Sequence, residues 1–348
     1  MQKEARGGRC RTAFINPNIE ASYWHMENGR ARCDLCPHRC LIGSEEFGLC
    51  SSRKFTGGKL TAYNYGRVSS IAVDPIEKKP FYHYRPGTRI FSVGGIGCNF
   101  RCQYCQNYSI SMESFGKKRT TFKSAEDIAA LCRQQSFDQI AFTYNEPGIW
   151  YEYIMDVHEA DPDLRIALVT NGYLNEEPMK DLCGVSDAMN IDVKSFNDRF
   201  YRRICGGDLE SVKTACSVVH EQGVHLELTY LVIPGYNDST GEVEKFVRWV
   251  RDDLSPDIPV HFSRFHPDYN METVPMTPVE TLLRFQKLAE DNGLDYAYVG
   301  NIIHDDASDT YCPECGAAVI KRTGYRVDIV GLDGDRCAFC KHKLNIIR

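Results

Sequence analysis

The sequence predicts an α/β fold in which six strand–helix units form an open, partial (β/α)6 barrel of the TIM-like type. Short apolar strands alternate with amphipathic helices between residues 90 and 300, which is typical of a parallel sheet. A polar cluster follows each predicted strand, at the end where βα barrels carry their active sites. Hydrophobic residues make up 43% of the 348 residues, enough for a full core.

The individual elements follow from the hydrophobic periodicity. Predicted strands cover residues 90–95, 139–144, 165–170, 188–193, 225–232 and 260–264, with a short last strand at 296–299 expected at one edge. Predicted helices cover residues 125–135, 150–159, 209–222, 242–252 and 279–291. Ser124 with Asp127 forms the pattern of a helix start. Six such units are too few to close an eight-stranded barrel.

Cysteine clusters divide the chain into three parts. We predict a cysteine-rich N-terminal extension over 1–64, a core domain over 65–305 and a zinc-ribbon-like or rubredoxin-like C-terminal module over 306–348. The sixteen cysteines indicate metal binding rather than disulfides, because the N-terminus lacks a signal-peptide core and no apolar run approaches the ~20 residues of a membrane span. We therefore expect a cytoplasmic protein. The net charge of −6 gives no sign of nucleic-acid binding.

The segment GCNFRCQYCQN places Cys98, Cys102 and Cys105 in one loop after the first predicted strand. Three thiolates are one fewer than the four that close a 4Fe–4S cluster, so one iron is left open. Zinc sites usually show paired C-x2-C motifs, and the C-x3-C-x2-C spacing therefore favours a cluster over zinc. We predict a 4Fe–4S cluster whose open iron binds a further ligand.

This loop, with Tyr104 before its last cysteine, resembles the cluster loop of the radical S-adenosylmethionine (SAM) enzymes. The resemblance implies that SAM binds the open iron and is cleaved by one electron to methionine and a 5′-deoxyadenosyl radical. That radical removes a hydrogen atom from a substrate. The three cysteines are then the catalytic residues, and an electron donor such as flavodoxin or ferredoxin is expected as a partner.

Polar side chains at the predicted strand ends match the chemical groups of SAM. They are Asn145 and Glu146 for the ammonium, Lys194 for the carboxylate, Asn171 and Asp192 for the ribose, and Tyr104 for the adenine. Each has a structural alternative: the asparagines are good turn formers, Glu146 suits a helix cap, and Asp192 can pair with Lys194. Their common location favours a binding site.

Residues 65–300 more narrowly resemble the activating enzymes of glycyl radical enzymes, such as the pyruvate formate-lyase activase. An Asp-x-Lys pair of that group matches Asp192 and Lys194, and a histidine that meets SAM near the sixth strand corresponds to His266. Tyr144 and Asn145 stand where the group has two glycines.

The whole chain is more similar still to the radical SAM member of the AmmeMemoRadiSam system. The matching segments are CDLCPHRC, VDPIEKKPFYHYRPG, GCNFRCQYCQN, TYNEP, YVGN and CPECG with CAFC. The resemblance implies an association with Memo-like and AMMECR-like proteins and leaves the substrate open. We expect a protein substrate first, a small molecule or nucleotide second, and a non-catalytic iron–sulfur and zinc protein for electron transfer or scaffolding third.

Two further cysteine groups indicate metal sites outside the core. The first comprises the paired C-x2-C motifs Cys312, Cys315, Cys337 and Cys340, for which we predict structural Zn2+ with rubredoxin-like iron as the alternative. The second comprises Cys33, Cys36, Cys40 and Cys50, with His38 nearby. Zinc is slightly preferred there, and an auxiliary 4Fe–4S cluster is the alternative.

Residues 74–85, with the sequence DPIEKKPFYHYR, precede the first predicted strand. Their prolines predict a rigid loop, which either covers the barrel mouth and contacts substrate or serves as a solvated connector. Cys205, in a loop after Lys194, is interpreted as an inert thiol.

Overall fold

One eight-stranded sheet forms the centre of the computed structural model, which describes residues 19–112, 120–302 and 307–348. Its strands are β1 Ser70–Pro75, β2 Arg89–Gly94, β3 Gln139–Phe142, β4 Arg165–Thr170, β5 Ala188–Asp192, β6 His225–Val232, β7 Val260–Arg264 and β8 Ala297–Gly300. Each strand pairs with the next in sequence, and every pair is parallel except β1 with β2. The parallel strands are joined by crossover connections, which return the chain to the same end of the sheet.

One helix lies in each connection between consecutive parallel strands, and the last of them lies between β7 and β8. They are α1 Ala125–Gln134, α2 Tyr151–Ala160, α3 Glu176–Val185, α4 Leu209–Glu221, α5 Thr240–Trp249 and α6 Val279–Asp291. Shorter helical turns are Ile76–Lys78, Tyr108–Ser111, Pro147–Trp150, Asp198–Phe200, Tyr201–Cys205, Val250–Leu254 and Tyr269–Met271. Ser124 and Asp127 exchange hydrogen bonds at the start of α1, which confirms the predicted helix start.

The mostly parallel α/β sheet predicted from the sequence is confirmed, including the short edge strand β8. Among the described residues, β1 and β8 form opposite edges of an open sheet, so closure into a barrel is not confirmed. Predicted strand 139–144 ends at Phe142, because Tyr144 adopts a left-handed backbone with φ of 74°. Strand β1 and helix α3 were not predicted.

The two faces of the sheet carry different side chains, because successive residues of a strand point to opposite sides. One face belongs to the main core under the helices, through residues such as Phe91, Ile140 and Ile166. The other face contributes Ile90, Ala141, Ala167 and Ala188 to a second apolar cluster with Ile76, Phe81 and Tyr84. The small alanines on this inner face leave room for the segment that packs there.

Most of residues 76–85 are therefore buried rather than forming a solvated connector, and Lys78 is the exposed member of the segment. Glu227 of β6 holds them: its carboxylate accepts hydrogen bonds from the backbone N–H groups of Tyr82 at 2.9 Å, His83 at 2.8 Å and Tyr84 at 3.2 Å. The Nε2 atom of His261 lies 2.6 Å from the same carboxylate. Burial raises the pKa of Glu227, but hydrogen bonds from the neighbouring histidines bring it well below its usual value.

The C-terminal module packs against the same segment. Its strands are Thr310–Tyr311, Ala318–Thr323, Arg326–Ile329, Leu332–Asp333 and Arg336–Cys337. The buried Arg322 donates to the Tyr82 carbonyl at 2.7 Å, and the Ile347 N–H donates to the His83 carbonyl at 2.8 Å. The chain's last residues thus fix the segment beside the sheet.

The N-terminal extension consists of small antiparallel elements. They are Trp24–Glu27, Arg30–Cys33 and Leu41–Ile42 in one sheet, the hairpin Arg53–Thr56 with Lys59–Ala62, and Arg67–Val68 paired with Thr121–Phe122. Residues 1–18 of the predicted extension, and the predicted boundary at 305/306, lie outside the described residues.

Candidate active site

A cavity of about 340 Å³ lies at the carboxyl ends of the parallel strands. Its lining includes nine of the residues predicted from the sequence, namely Cys98, Cys102, Tyr104, Cys105, Asn145, Glu146, Asn171, Asp192 and Lys194. The carboxyl ends of parallel strands meet at one edge of a sheet, which is why residues so far apart in sequence come together. His266, the tenth, is exposed and is not among the lining residues.

The cysteine loop after β2 is fixed by its neighbours on two sides. The Arg101 N–H donates to the Cys205 carbonyl at 2.6 Å, and the Gln103 N–H donates to the Ile204 carbonyl at 3.1 Å. Asn145 holds the start of the loop, since its Oδ1 accepts from the Gly95 N–H at 2.8 Å and its Nδ2 donates to the Gly97 carbonyl at 3.0 Å. The three thiols are thus presented by a loop whose backbone is tied down before any ligand binds.

Gly97 is required where the loop passes the N-terminal extension. Its φ is 94°, and a Cβ atom there would lie 2.5 Å from the Cys50 carbonyl oxygen. The close approach brings the two cysteine groups of residues 33–50 and 98–105 side by side.

Cys102 of the loop is buried, Cys98 and Cys105 are partly buried, and Cys98 has two hydrogen-bond donors. Cys98 Sγ accepts from the Phe100 N–H at 3.3 Å and from Asn171 Nδ2 at 3.7 Å. Burial raises the pKa of Cys98 well above its usual value, and a hydrogen bond with Cys205 together with burial does the same for Cys102. Metal binding at these thiols would therefore release protons.

Cys205 is a site residue that sequence reasoning did not assign to the cavity's surroundings. It is fully buried beside Cys102, and the Tyr104 hydroxyl lies 3.6 Å from its Sγ atom. The Tyr104 ring packs against Phe200 with centroids 6.1 Å apart. Tyr104 thus lines the cavity and is also held in place by its contacts with Cys205 and Phe200.

Glu146 is a buried carboxylate with three donors. Its Oε1 accepts from Thr170 Oγ1 at 2.6 Å and from the Gly148 N–H at 2.7 Å, and its Oε2 accepts from the Asn171 N–H at 2.8 Å. Burial raises its pKa, which these hydrogen bonds counteract. The predicted capping role is present, because Glu146 precedes the turn Pro147–Trp150, and the carboxylate also faces the cavity.

Asp192 and Lys194, at the end of β5, form an ion pair with 2.6 Å between Oδ2 and Nζ. Lys194 is 16% exposed, and burial lowers its pKa, but the Asp192 carboxylate and the Cys102 thiol raise it above the usual range. The ammonium therefore stays charged, and the pair offers one cation and one hydrogen-bond acceptor to a zwitterionic ligand.

Asn171 links the loop after β4 to the cysteine loop. Besides Cys98, its Nδ2 contacts Asn99 Oδ1 at 2.8 Å, and its Oδ1 accepts from the Tyr173 N–H at 2.8 Å. This asparagine is both the turn former and the cavity-lining residue that the sequence indicated.

The sequence indicated only part of the opposite wall of the cavity. Lining residues outside the prediction include Glu77, Lys78, Pro80, Tyr82, Thr229, His261, Ser263 and Tyr325. The first four lie in the 74–85 segment, which the sequence did mark as a candidate substrate contact. Tyr325 comes from the C-terminal hairpin, and no sequence pattern brings a residue of a separate module to this rim.

The C-terminal cysteines form a compact group. Cys312 and Cys340 Sγ atoms lie 3.6 Å apart, and those of Cys315 and Cys337 lie 3.7 Å apart. Four thiolates about 2.3 Å from one tetrahedral ion stand at this spacing from one another. Backbone hydrogen bonds from Cys340 lower the pKa of Cys337 to about 7, which favours its thiolate. The group fits a single metal ion.

The N-terminal cysteines line a second, smaller cavity. Cys33, Cys36, Cys40 and Cys50 face it together with His38, Arg53 and Asn99.

In the part of the chain that the structure describes, no helix is long and apolar enough to cross a membrane.

Comparisons with known proteins agree with this arrangement. The family model of the radical SAM superfamily matches residues 93–250. An uncharacterized protein of Methanocaldococcus jannaschii is 39% identical over 329 residues, covering 93% of this chain and 98% of that protein. The pyruvate formate-lyase 1-activating enzyme of Escherichia coli is 23% identical over 225 residues, covering 60% of this chain and 91% of the enzyme.

The matches to solved structures are weaker. A radical SAM methyltransferase from Sphaerobacter thermophilus has a TM-score of 0.46 and 19% identity, covering 60% of this chain and 66% of that chain. A domain of the pyruvate-formate lyase-activating enzyme from Bacteroides vulgatus has a TM-score of 0.38 and 15% identity, covering 44% of this chain and 91% of that chain.

Proposed function

The chain belongs to the radical SAM superfamily, and on this basis we propose that it reductively cleaves SAM at a 4Fe–4S cluster held by Cys98, Cys102 and Cys105. One observation carries the proposal: three thiols and three charged side chains, Glu146, Asp192 and Lys194, line a single cavity. The thiols suit a cluster with one open iron, and the charges suit the ammonium and carboxylate that SAM places beside it.

A cluster and SAM bound in this cavity would supply the chemistry of one-electron cleavage to methionine and a 5′-deoxyadenosyl radical. The chain's own residues bind and orient. Lys194, fixed by Asp192, is positioned to pair with the SAM carboxylate, and Glu146 supplies a carboxylate for the ammonium. Asn145 positions the cysteine loop through Gly95 and Gly97 rather than presenting a free amide.

Tyr104 and Asn171 complete the proposed binding of SAM, by facing its adenine and its ribose. His266 is exposed, and a role for it requires SAM or substrate to reach the surface beyond the cavity.

We propose a protein substrate that enters beside the C-terminal module. Lys78 and Tyr325 line the cavity while their side chains remain about half exposed, so they mark its open side. Within the AmmeMemoRadiSam system that the sequence segments indicate, a Memo-like or AMMECR-like protein is the first substrate or partner to test. A small molecule or nucleotide is the alternative outcome.

The remaining parts of the proposal concern metals and electrons. Cys312, Cys315, Cys337 and Cys340 are proposed to hold structural Zn2+, supported by their spacing. Flavodoxin or ferredoxin is the proposed electron donor. The cytoplasm, where thiols stay reduced, suits a chain with sixteen cysteines.

The proposal is tested by product formation under anaerobic conditions. Protein reconstituted with iron and sulfide is mixed with dithionite and SAM, and 5′-deoxyadenosine is measured by chromatography. We expect product from the wild type, none from Cys102→Ala, and normal product from Cys216→Ala, a buried cysteine of α4 outside both cavities. Product formation by Cys102→Ala equal to that of the wild type would overturn the cluster assignment.

A further inference from the structure

The N-terminal cysteines occupy a site that the proposed reaction does not use. Cys33, Cys36 and Cys50 are buried, Cys40 is partly buried, and all four face one cavity. We propose that they hold a second iron–sulfur cluster, in contact with the cysteine loop of residues 98–105, rather than zinc. The spacing of the thiols favours a cluster over zinc, and two further observations indicate an anionic group held by four cysteines.

The first observation is the spacing of the thiols. Among the described residues, only the C-terminal cysteines form a group of three or more potential ligand atoms that all lie within 4.8 Å of one another. They are Cys312, Cys315, Cys337 and Cys340. The N-terminal thiols share a cavity without meeting that limit. A single tetrahedral ion draws its four sulfurs close together, whereas a cluster binds each thiolate to a different iron and spreads them apart. The thiols of Cys98, Cys102 and Cys105, where the first cluster is proposed, likewise do not all lie within 4.8 Å of one another.

The second observation is a buried arginine with unsatisfied donors. Arg53 is 1% exposed and lines the cavity, and its Nη1 donates to Glu152 Oε1 at 2.6 Å. Its Nε and Nη2 atoms have no hydrogen-bond partner within the protein. Buried donors of a charged group require acceptors. An anionic cluster offers sulfide and thiolate sulfurs to accept both hydrogen bonds.

The third observation concerns the ligand set. His38 lines the cavity, but its Nε2 lies 2.8 Å from the Asn99 carbonyl, and its ring packs against Tyr173 with centroids 5.0 Å apart. This histidine is committed to the cysteine loop of residues 98–105. The four cysteines are by themselves a complete ligand set for 4Fe–4S, without this histidine.

The two cysteine sites touch through the residues that separate them. Asn99 lines the N-terminal cavity, and the preceding residue Cys98 lines the main one. Asn171 Nδ2 contacts both Asn99 Oδ1 and Cys98 Sγ. Gly97, next to Cys98, passes so near the N-terminal site that a Cβ atom on it would lie 2.5 Å from the Cys50 carbonyl oxygen, so the two proposed clusters are neighbours that can exchange an electron. In that step one cluster is oxidised, the other is reduced, and no bond or proton changes.

Metal counting tests the assignment without relying on activity. The variant Cys98→Ala/Cys102→Ala/Cys105→Ala is reconstituted anaerobically with iron and sulfide, and its iron, sulfide and zinc are measured. We expect about four irons and one zinc per chain, against about eight irons and one zinc in the wild type. The control Cys132→Ala/Cys183→Ala/Cys216→Ala should keep the wild-type content. About two zincs and no iron in the first variant would overturn the proposal.

Spin resonance tests the contact between the sites. In the fully reduced wild type, two neighbouring paramagnetic clusters broaden and split each other's signals. We expect a spectrum that differs from the sum of the spectra of the two variants lacking one cysteine group each, the second being Cys33→Ala/Cys36→Ala/Cys40→Ala. A spectrum equal to that sum would contradict the contact. If the second variant does not fold, the iron content of the wild type still decides the site.

The second cluster does not depend on the proposed reaction, and metal content and product separate the two. About eight irons without any 5′-deoxyadenosine would leave the second cluster in place and remove the proposed reaction. Product with about four irons and two zincs would do the reverse.

Discussion

The side-chain amide of Asn171 donates to the Sγ atom of Cys98 across 3.7 Å. This contact joins the loop after β4 to the first thiol of the cysteine loop after β2. Hydrogen bonds to the sulfurs of a cluster are among the factors that set its reduction potential. Asn171 is therefore placed to tune the proposed cluster as well as to line the cavity.

Removal of this contact should make the cluster harder to reduce. For Asn171→Ala we expect a midpoint potential more negative by roughly 20 to 60 mV, because a hydrogen bond contributes about 0.5–1.5 kcal/mol and 59 mV is about 1.4 kcal/mol for one electron. A redox titration followed by spin resonance measures it. Asn292→Ala, at the end of α6, is the control, since its amide bonds the Leu288 carbonyl. Equal potentials in the variant and the wild type would refute this role.

Lys194 should contribute to SAM binding through its charge. We expect Lys194→Met to raise the dissociation constant for SAM by roughly 10- to 100-fold, the effect of losing a charged hydrogen bond. Equilibrium dialysis under anaerobic conditions gives the constant directly. Lys213→Met, which removes a surface lysine paired with Glu210 at 3.1 Å, should leave it unchanged. A change of less than twofold in the first variant would count against the proposed contact.

His83 should make the protein less stable at mildly acid pH. Burial lowers its pKa to about 3, whereas in the unfolded chain a histidine takes up a proton near pH 6.5. Between these values the unfolded state binds more protons, so stability falls as pH falls, by at most about 1.4 kcal/mol per pH unit.

Urea unfolding at pH 7.0 and pH 5.5 checks this expectation. The loss of unfolding free energy between the two should be smaller in His83→Gln than in the wild type by about 1 kcal/mol. His220→Gln, near the end of α4, serves as the control and should keep the wild-type pH dependence. The same loss in His83→Gln and the wild type would show that His83 is not the group responsible.

The metal proposed for the C-terminal cysteines should stabilise residues 76–85 from a distance, because Arg322 and Ile347 hold that segment. We expect Cys340→Ala to lose about one zinc per chain, to keep its iron and to melt roughly 5 °C lower. Metal analysis and thermal unfolding measure these effects. Cys183→Ala, a buried cysteine of α3, should retain the zinc. Full zinc content in Cys340→Ala would show that the module binds its metal elsewhere.

The parallel sheet and the clustering at its carboxyl edge were predictable, because both depend on local patterns. Strand–helix alternation fixes the direction of the strands, and each polar cluster follows its own strand in sequence. Helix α3 escaped prediction because it contains Pro178 and Gly184, two residues that usually weaken a helix. Pro178 lies in the first turn, where its missing N–H costs no hydrogen bond.

The position of the opposite wall of the cavity was not predictable, because that position depends on contacts between residues distant in sequence. In the sequence, Glu227 is simply a polar residue inside an apolar strand. Only the fold brings its carboxylate to the backbone of residues 82–84. Tyr325 likewise reaches the cavity through the docking of a separate module. The pairing of Asp192 with Lys194 was foreseen, since two residues in one strand end are always close.

The central claim is that a cluster held by Cys98, Cys102 and Cys105 leaves one iron open to SAM. The most direct test is the spin resonance spectrum of the dithionite-reduced protein, recorded without and with SAM labelled with nitrogen-15 at its amino group. The account predicts that SAM changes the cluster signal and that the labelled nitrogen couples to it. A spectrum identical in both samples, from protein with its full iron content, would contradict the claim.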